Sequence, residues 1–309
     1  MAIPSDFSYL RYLAAKRSVD DRALNRYVLE HLKRGLGRSG QTPPAEVLEI
    51  GAGSGAMLER LARRGILKRA RYEAIDLVPE HIGEARRLLP LWARDLGFTP
   101  MDETGAGLRL ERGTDCLAVR FEAIDVHAFI RREAGRRRWD LLVSHAFLDL
   151  VDAGSVLPGL LSLVSPGGLL YLTMNFDGVT ILEPPLDPAL DEAILALYHA
   201  TMDNRRVGGH PSGDSRTGRR LLGRLGTQGV EIAAAGSSDW VIHPAGGRYP
   251  YDEAYFLHFI VNLIDASVKG HPSLDPGRLS RWIGARHAQI EQGALILIAH
   301  QIDILGRRS

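Results

Sequence analysis

The chain has 309 residues, of which 45% are hydrophobic and 24% charged, and its formal net charge is +1. This is ordinary globular composition, without the charge excess that would favour nucleic acid or an acidic membrane surface as a partner. The single cysteine, Cys116, excludes an intramolecular disulfide and argues against a cysteine-based zinc site. The N-terminus lacks the apolar core of a signal peptide, so we expect a cytoplasmic protein.

Strands and helices alternate through the first half of the chain. Short apolar runs predict strands at 47–50, 71–76, 117–124, 140–144 and 169–174, and helical periodicity predicts helices at 56–64, 126–132 and 156–164. A further helix begins at Pro79, and the Gly- and Asp-rich segment 97–115 predicts a loop or hairpin. This alternation predicts right-handed βαβ units and a largely parallel sheet.

The flanking regions are more helical. Helical spacing covers 8–36, with a break at 18–21 and a linker at 35–44, and it returns at 190–202, 217–225, 255–268 and 279–290. Two further strands are predicted at 230–235 and 294–304, and a glycine-rich loop at 208–213. The uncharged stretch 153–176 is interrupted by Pro158, Pro166 and Gly167, so it predicts no membrane span.

A glycine-rich loop, Gly51-Ala-Gly-Ser-Gly, connects the first predicted strand to its helix. Glycine permits the tight turn and the close approach of backbone to a ligand that nucleotide-binding loops need. Gly51, Gly53 and Ala56 also satisfy the dinucleotide fingerprint, and Asp76 follows at the distance of a ribose-binding acid. A ribose-containing ligand is therefore indicated, with an ordinary tight strand–helix turn as the alternative.

The segment Val47-Leu-Glu-Ile-Gly-Ala-Gly-Ser-Gly resembles the first motif of the class I S-adenosylmethionine (SAM)-dependent methyltransferases. Glu49 distinguishes it from dinucleotide dehydrogenases, which usually have an apolar residue there. Later segments resemble the family's following motifs in the correct order: Asp76, Phe121-Glu-Ala-Ile-Asp125, Trp139-Asp-Leu-Leu-Val-Ser-His-Ala-Phe-Leu and Leu163-Val-Ser-Pro-Gly-Gly-Leu-Leu. The resemblance covers residues 46–174 firmly and the C-terminal strands weakly.

The resemblance implies a doubly wound, mostly parallel, seven-stranded Rossmann-like sheet with an antiparallel C-terminal strand. We expect residues 1–40 to form a helical lid and residues 41–309 a SAM-binding domain, with helical insertions at about 180–214 and 251–292. These additions should lie above the carboxyl ends of the strands, where ligands bind in such sheets. A homodimer is compatible with this organisation.

The resemblance also implies how SAM, converted to S-adenosylhomocysteine, would be held without any metal. The loop residues Gly51, Ala52, Gly53 and Gly55 would pass beneath the amino acid end and the ribose. The remaining cofactor contacts would be Glu49 to the ammonium, Asp76 to both ribose hydroxyls, Asp125 to the adenine amino group, Leu77 and Val126 on the faces of the ring, and His145 near the methionyl part. Asp125 has an alternative role as the cap of the following helix.

After the fourth strand, Ser144-His145-Ala-Phe-Leu-Asp149 lacks the Asn/Asp-Pro-Pro-Tyr signature of many enzymes that methylate nucleic-acid bases. We therefore expect a small-molecule acceptor and neither nucleic acid nor membrane as a partner. The candidate catalytic residues are His145, Tyr198, His199 and Arg205, with Tyr9 and Tyr12 of the lid also facing the acceptor. For each of them, structural packing is the alternative.

The predicted function is methyl transfer to a small molecule by in-line displacement, with an oxygen, nitrogen or carbon acceptor left open. One alternative is an enzyme that cyclises or eliminates the side chain of SAM itself. Two others are a nicotinamide-dependent oxidoreductase and a catalytically silent SAM-binding protein.

Overall fold

One sheet of ten strands forms the centre of this computed structural model, which describes residues 4–37, 43–103 and 107–309. The strand order is β10-β12-β7-β6-β1-β2-β5-β4-β3, with β11 beside β12. The strands of this sheet are β1 (Ala45–Ile50), β2 (Arg69–Asp76), β3 (Thr99–Glu103), β4 (Gly107–Arg112), β5 (Asp115–Ala123), β6 (Trp139–His145), β7 (Val164–Glu183), β10 (Val230–Ser237), β11 (Trp240–Ile242) and β12 (Ile296–Arg308). A separate hairpin pairs β8 (Arg206–Val207) with β9 (His210–Pro211).

Seven of these strands form the predicted Rossmann-like sheet. Strands β5, β2, β1, β6 and β7 run parallel, and β12 is antiparallel to both of its neighbours, β7 and β10. The predicted fold class, including the antiparallel C-terminal strand, is therefore confirmed. The chain order reverses between β1 and β6, and this switch point is where open α/β sheets bind ligands.

Helices cover both faces of the sheet. The helices in the described residues are α1 (Tyr9–Ala15), α2 (Arg17–Ala23), α3 (Arg26–Gly37), α4 (Ala56–Arg63), α5 (Pro79–Asp95), α6 (Val126–Glu133), α7 (Ala153–Ser162), α8 (Pro188–Asp203), α9 (Thr217–Thr227), α10 (Glu253–Val268) and α11 (Pro276–Glu291). One apolar core lies between the sheet and α3, α4 and α5, and a second between the sheet and α6, α7 and α9. These two cores fix the carboxyl ends of β1, β2 and β6 around the glycine-rich loop.

The remaining helices form what we call the cap, made of α1, α2, α8, α10 and α11 with the distal halves of β7 and β12. The cap has its own apolar core, which includes Tyr12, Phe176, Ile194, Phe256 and Leu297. Strands β7 and β12 stay paired from Leu169 and Arg307 to Glu183 and Ile296, so the ladder extends from the sheet into the cap. No helix within the described ranges combines the length and apolarity that a membrane span needs.

The N-terminal helices differ from the prediction in two respects. The predicted break at 18–21 is wrong, because α2 spans Arg17–Ala23 and holds Asp20 and Asp21 inside a helix. The predicted linker begins too early, because α3 continues to Gly37, and residues 38–42 of that linker lie outside the described residues. Since α3 packs against the sheet, only α1 and α2 of the predicted lid 1–40 belong to the cap.

Two other segments also differ from the sequence-based boundaries. The strand predicted at 169–174 is the middle of β7, which spans Val164–Glu183, so the insertion predicted at 180–214 begins inside a strand. The loop predicted at 208–213 includes the turn and the second strand of the β8–β9 hairpin, whose first strand precedes it. By contrast, the hairpin predicted within 97–115 is formed by β3 and β4 at the edge of the sheet.

Candidate active site

The glycine-rich loop joins β1 to α4 at the centre of the sheet. Gly51, Gly53 and Gly55 have φ angles of 70°, 52° and 76°, a left-handed conformation that side chains other than glycine rarely adopt. A Cβ atom on Gly51 would lie 2.6 Å from the Phe147 ring, so glycine is required there. Gly51, Ala52 and Gly53 line a cavity of about 1080 Å³, which we call the cofactor cavity, whereas the predicted contact Gly55 is not part of its wall.

Asp76, the last residue of β2, is tied to this loop. Its Oδ2 accepts a hydrogen bond from the Gly53 amide at 2.8 Å, and its Oδ1 accepts one from the Val78 amide at 2.9 Å. His81 Nδ1 lies 3.0 Å from Oδ1, and the His81 ring stacks on Tyr9 of α1. Oδ2 therefore has one lone pair left to accept a hydrogen bond from a ribose hydroxyl. For Asp76 to accept hydrogen bonds from both ribose hydroxyls, the His81 ring would have to move away from Oδ1.

Glu49 borders the same cavity from β1 and is 1% exposed. The Tyr72 hydroxyl donates a hydrogen bond to Glu49 Oε2 at 2.8 Å. Burial raises the pKa of the Glu49 carboxyl to about 8, so the group is mostly protonated at neutral pH. A cation placed beside it would favour the carboxylate again, which makes Glu49 suited to an ammonium group.

The other end of the cofactor cavity is apolar. Leu77 lies on the rim with 67% of its surface exposed, and the buried Val126 lines the cavity as well. Asp125 caps α6, because its Oδ1 accepts a hydrogen bond from the Ala128 amide at 3.0 Å. The described hydrogen bonds of this carboxylate use Oδ1 alone, so capping leaves Oδ2 for a ligand donor such as an adenine amino group.

A second cavity of about 390 Å³ lies beneath the cap, and we call it the acceptor cavity. Tyr9, Lys16, Ala146 and Leu150 line both cavities, so the two meet just beyond the end of β6. The wall of the acceptor cavity is mainly aromatic and aliphatic, and it includes Tyr12, Met174, Phe176, Tyr198, Trp240, Ile260 and Leu297. Among the described residues, no group of three His, Cys, Asp or Glu side chains is placed to hold a metal ion.

The candidate catalytic residues of α8 and its loop take different positions. Tyr198 lines the acceptor cavity, and burial raises the pKa of its phenol. Arg205 also lines it, but its guanidinium donates to the carbonyl oxygens of Leu150 at 2.5 Å and Ser212 at 3.0 Å, so it holds two loops together. His199 is not part of the wall, but its Nε2 lies 3.0 Å from Oγ1 of Thr180, which is part of it.

His145 lines the cofactor cavity but not the acceptor cavity. Its Nδ1 lies 2.8 Å from Thr173 Oγ1, and its Nε2 lies 3.1 Å from Asp20 Oδ2 and 3.2 Å from Arg60 Nη1. Burial lowers the pKa of the imidazole to about 4. These partners engage both nitrogens of the imidazole. His145 is therefore not placed to take a proton from an acceptor, which corrects the catalytic role predicted from the sequence. It connects the cap helix α2 to the end of β6 and to Thr173 in the middle of β7.

A buried charge network lies behind His145. Arg60 of α4 is 5% exposed, and its guanidinium contacts Asp21 Oδ1 at 2.5 Å and Asp20 Oδ2 at 3.4 Å. Burial alone would raise the pKa of Asp20, but Lys16, His145 and Arg60 outweigh it and hold that pKa well below the ordinary value. The network therefore keeps charged groups paired where α2 meets the sheet.

The acceptor cavity also contains an acid that the sequence did not single out. Asp149 lines the wall, and its Oδ1 is buried with no hydrogen-bond partner among the described residues. Burial raises the pKa of this carboxyl to about 6. The signal in the sequence is a single acid between Leu148 and Leu150, four residues after the end of β6.

Two residues other than glycine have strained backbones at the acceptor cavity. Ala146 and Met174 have φ angles of 50° and 55°, and both line the cavity. The Ala146 amide donates to the Thr173 carbonyl at 2.9 Å, and the Met174 amide donates to Asp303 Oδ1 at 2.8 Å. Strain of this kind costs about 1–3 kcal/mol per residue and concentrates at functional sites. The two strained residues therefore lie just after β6 and near the middle of β7, beside the acceptor cavity.

No protein-family model and no curated protein matches the chain. Solved structures do match it, among them YjhP from E. coli, with 16% identity and a TM-score of 0.41 over 95% of this chain and 100% of that one. A geranyl diphosphate methyltransferase in complex with SAM has 14% identity and a TM-score of 0.43, with coverage of 99% and 92%. The cyclopropane synthase MmaA2 from Mycobacterium tuberculosis has 11% identity and a TM-score of 0.42, with coverage of 99% and 100%. Likeness at these values transfers no function to this chain.

Proposed function

We propose that this chain is a SAM-dependent methyltransferase that acts on a small-molecule acceptor. The observation that carries the proposal is the junction of the two cavities at Ala146, where a ligand in one cavity can meet a ligand in the other. The cofactor cavity combines the glycine-rich loop with acids suited to a ribose and an ammonium, Asp76 and Glu49. Bound SAM supplies a methyl group that its positively charged sulfur already activates.

The tasks left to the chain are to align the acceptor and to exclude water. The cap supports both, because α1, α8 and α10 supply much of the wall of the acceptor cavity. Cyclisation of SAM itself is a weaker candidate, since a cavity of about 390 Å³ beyond the cofactor cavity offers room for a separate acceptor. A nicotinamide cofactor is disfavoured by the buried acid Glu49 below the loop.

Calorimetry with SAM, S-adenosylhomocysteine and NAD tests the proposal directly. We expect both adenosyl compounds to bind and NAD not to bind. Asp187→Asn is a suitable control, because Asp187 caps α8 outside both cavities and asparagine caps helices equally well. Binding of NAD without binding of SAM would overturn the proposal.

A further inference from the structure

Asp149 is the one acidic side chain in the wall of the acceptor cavity, as far as the described residues show. It lies in the segment that crosses the junction, with Ala146 and Leu150 lining both cavities on either side of it. Its backbone carbonyl accepts a hydrogen bond from the Asp214 amide at 3.3 Å. A carboxylate therefore lies next to the place where the two ligands would meet.

One oxygen of the carboxylate lacks a donor, whereas the backbone amide of Asp149 itself is hydrogen-bonded to the carboxylate. Its Oδ1 is buried without a hydrogen bond from any described residue, and leaving such an atom unsatisfied costs about 1–3 kcal/mol. The nearby cations are engaged elsewhere: Lys16 Nζ lies 3.5 Å from Asp20 Oδ2, and Arg205 donates to two carbonyl oxygens. The titratable groups that face Asp149 are Tyr9, Tyr12, Lys16, Tyr198, Arg205 and Asp214. A donor from the acceptor molecule would satisfy the orphaned oxygen.

We infer, on the basis of the proposed function, that Asp149 is the catalytic base and that the acceptor is a small aromatic compound methylated on a hydroxyl group. The wall favours a planar ring, because Tyr12, Phe176, Tyr198 and Trp240 contribute aromatic surface. A hydroxyl must lose its proton as it is methylated, so it needs an acceptor such as Asp149 Oδ1 within reach. An alkylamine beside a buried carboxylate would instead be held as an ammonium, without the lone pair that attacks.

The step balances without any further reactant. The hydroxyl oxygen forms a bond to the methyl carbon while the carbon–sulfur bond breaks, and that electron pair stays on sulfur. The hydroxyl proton moves to Asp149 Oδ1. The products are the methyl ether, neutral-sulfur S-adenosylhomocysteine and a protonated Asp149, which returns its proton to solvent.

A paired set of phenols and benzylamines of similar size tests both parts of the inference. We expect S-adenosylhomocysteine to form with phenols and not with the matched benzylamines, whose amino group is protonated at neutral pH. Asp149→Asn should lower kcat for phenols by about 10²–10⁴-fold, the usual contribution of a general base. The wild-type rate should fall as the pH drops below about 6, where the carboxyl is protonated, and the variant should lose that dependence. Asp187→Asn should behave as the wild type.

Binding measurements separate the possible failures. Affinity for S-adenosylhomocysteine and the unfolding temperature of Asp149→Asn should match the wild type, which shows that the variant is folded. In the presence of S-adenosylhomocysteine, phenols should bind Asp149→Asn more weakly. Failure of the wild type to bind SAM would overturn the proposed function itself. If SAM binds, then turnover of benzylamines alone, turnover of no phenol, or an undiminished rate in Asp149→Asn would overturn this inference.

Discussion

Binding of the cofactor should release a proton from Glu49. In the free protein, burial raises the pKa of this carboxyl to about 8, whereas a bound ammonium group requires its ionised form. Because the folded protein holds this proton more tightly than an exposed glutamate does, affinity should rise with pH as the proton becomes easier to remove. S-adenosylhomocysteine is the better ligand for the test, since it carries the ammonium but no sulfonium.

The size of the effect follows from the ionised fraction of Glu49. With a pKa of about 8, roughly 1% of the carboxyl is ionised at pH 6 and roughly 9% at pH 7. The dissociation constant should therefore fall about ninefold between these two values, equivalent to about 1.3 kcal/mol. Close to one proton, about 0.9, should be released per molecule bound at pH 7.

Titration calorimetry at pH 6 and pH 7, repeated in buffers of different ionisation enthalpy, measures both quantities. Glu49→Gln should bind more weakly at pH 7 and lose the pH dependence, because the amide does not titrate in this range. Glu46→Gln is the matched control: it lies on the same strand outside the cofactor cavity and should keep the wild-type behaviour. Equal affinity at the two pH values without proton release would refute the role assigned to Glu49.

Three further perturbations test the rest of the site. Asp76→Ala should weaken SAM binding by about 2–4 kcal/mol through loss of charge-assisted hydrogen bonds, and an unchanged dissociation constant in calorimetry would contradict the ribose assignment. Gly51→Ala should lower the free energy of unfolding by about 1–3 kcal/mol in denaturant titrations and weaken S-adenosylhomocysteine, because its Cβ would collide with Phe147. If Gly51→Ala unfolds with the wild-type free energy and binds S-adenosylhomocysteine with full affinity, the loop relaxes enough to accommodate the Cβ atom. Removal of residues 1–23 should abolish formation of S-adenosylhomocysteine and also weaken cofactor binding, because α1 lines both cavities, and α2 lines the cofactor cavity and supplies the acidic partners of the buried Arg60. Full turnover by the truncated chain would rule out these two helices as part of the acceptor site.

The sequence allowed the sheet to be predicted because its strands are buried on both faces and read as apolar runs. Leu141 and Leu142, for example, are both fully buried, each under helices on a different face. The glycine-rich loop was recognisable because its left-handed backbone requires glycine at three alternating positions, between a strand and a helix. The extension of β7 beyond 174 was missed, because buried Asn175 and Asp177 look like the polar start of a loop.

The acceptor site was harder to predict because its polar side chains are positioned by partners that are far away in the sequence. Asp20 and Asp21 suggested a helix break, whereas they are the partners of Arg60, some forty residues away. His145 follows a strand end as expected, yet its orientation is set by Thr173 and Asp20, which no local pattern reveals. Roles for Tyr198, Arg205 and the adenine contacts remain predictions.

The β7–β12 ladder restricts how ligands can enter and leave. Despite two register shifts, its backbone hydrogen bonds join the sheet to the cap, so α8, α10 and α11 cannot swing away as a rigid body without breaking strand pairing. By contrast, α1 and α2 are fastened by side chains, through the packing of Tyr12 on Phe256 and the ion pairs of Arg11 with Asp252 and of Arg22 with Glu253. We therefore expect the N-terminal helices to act as the gate. Because salt screens the ion pairs, added salt should speed ligand exchange more than it weakens the sheet, and exchange rates that do not depend on salt would contradict this assignment.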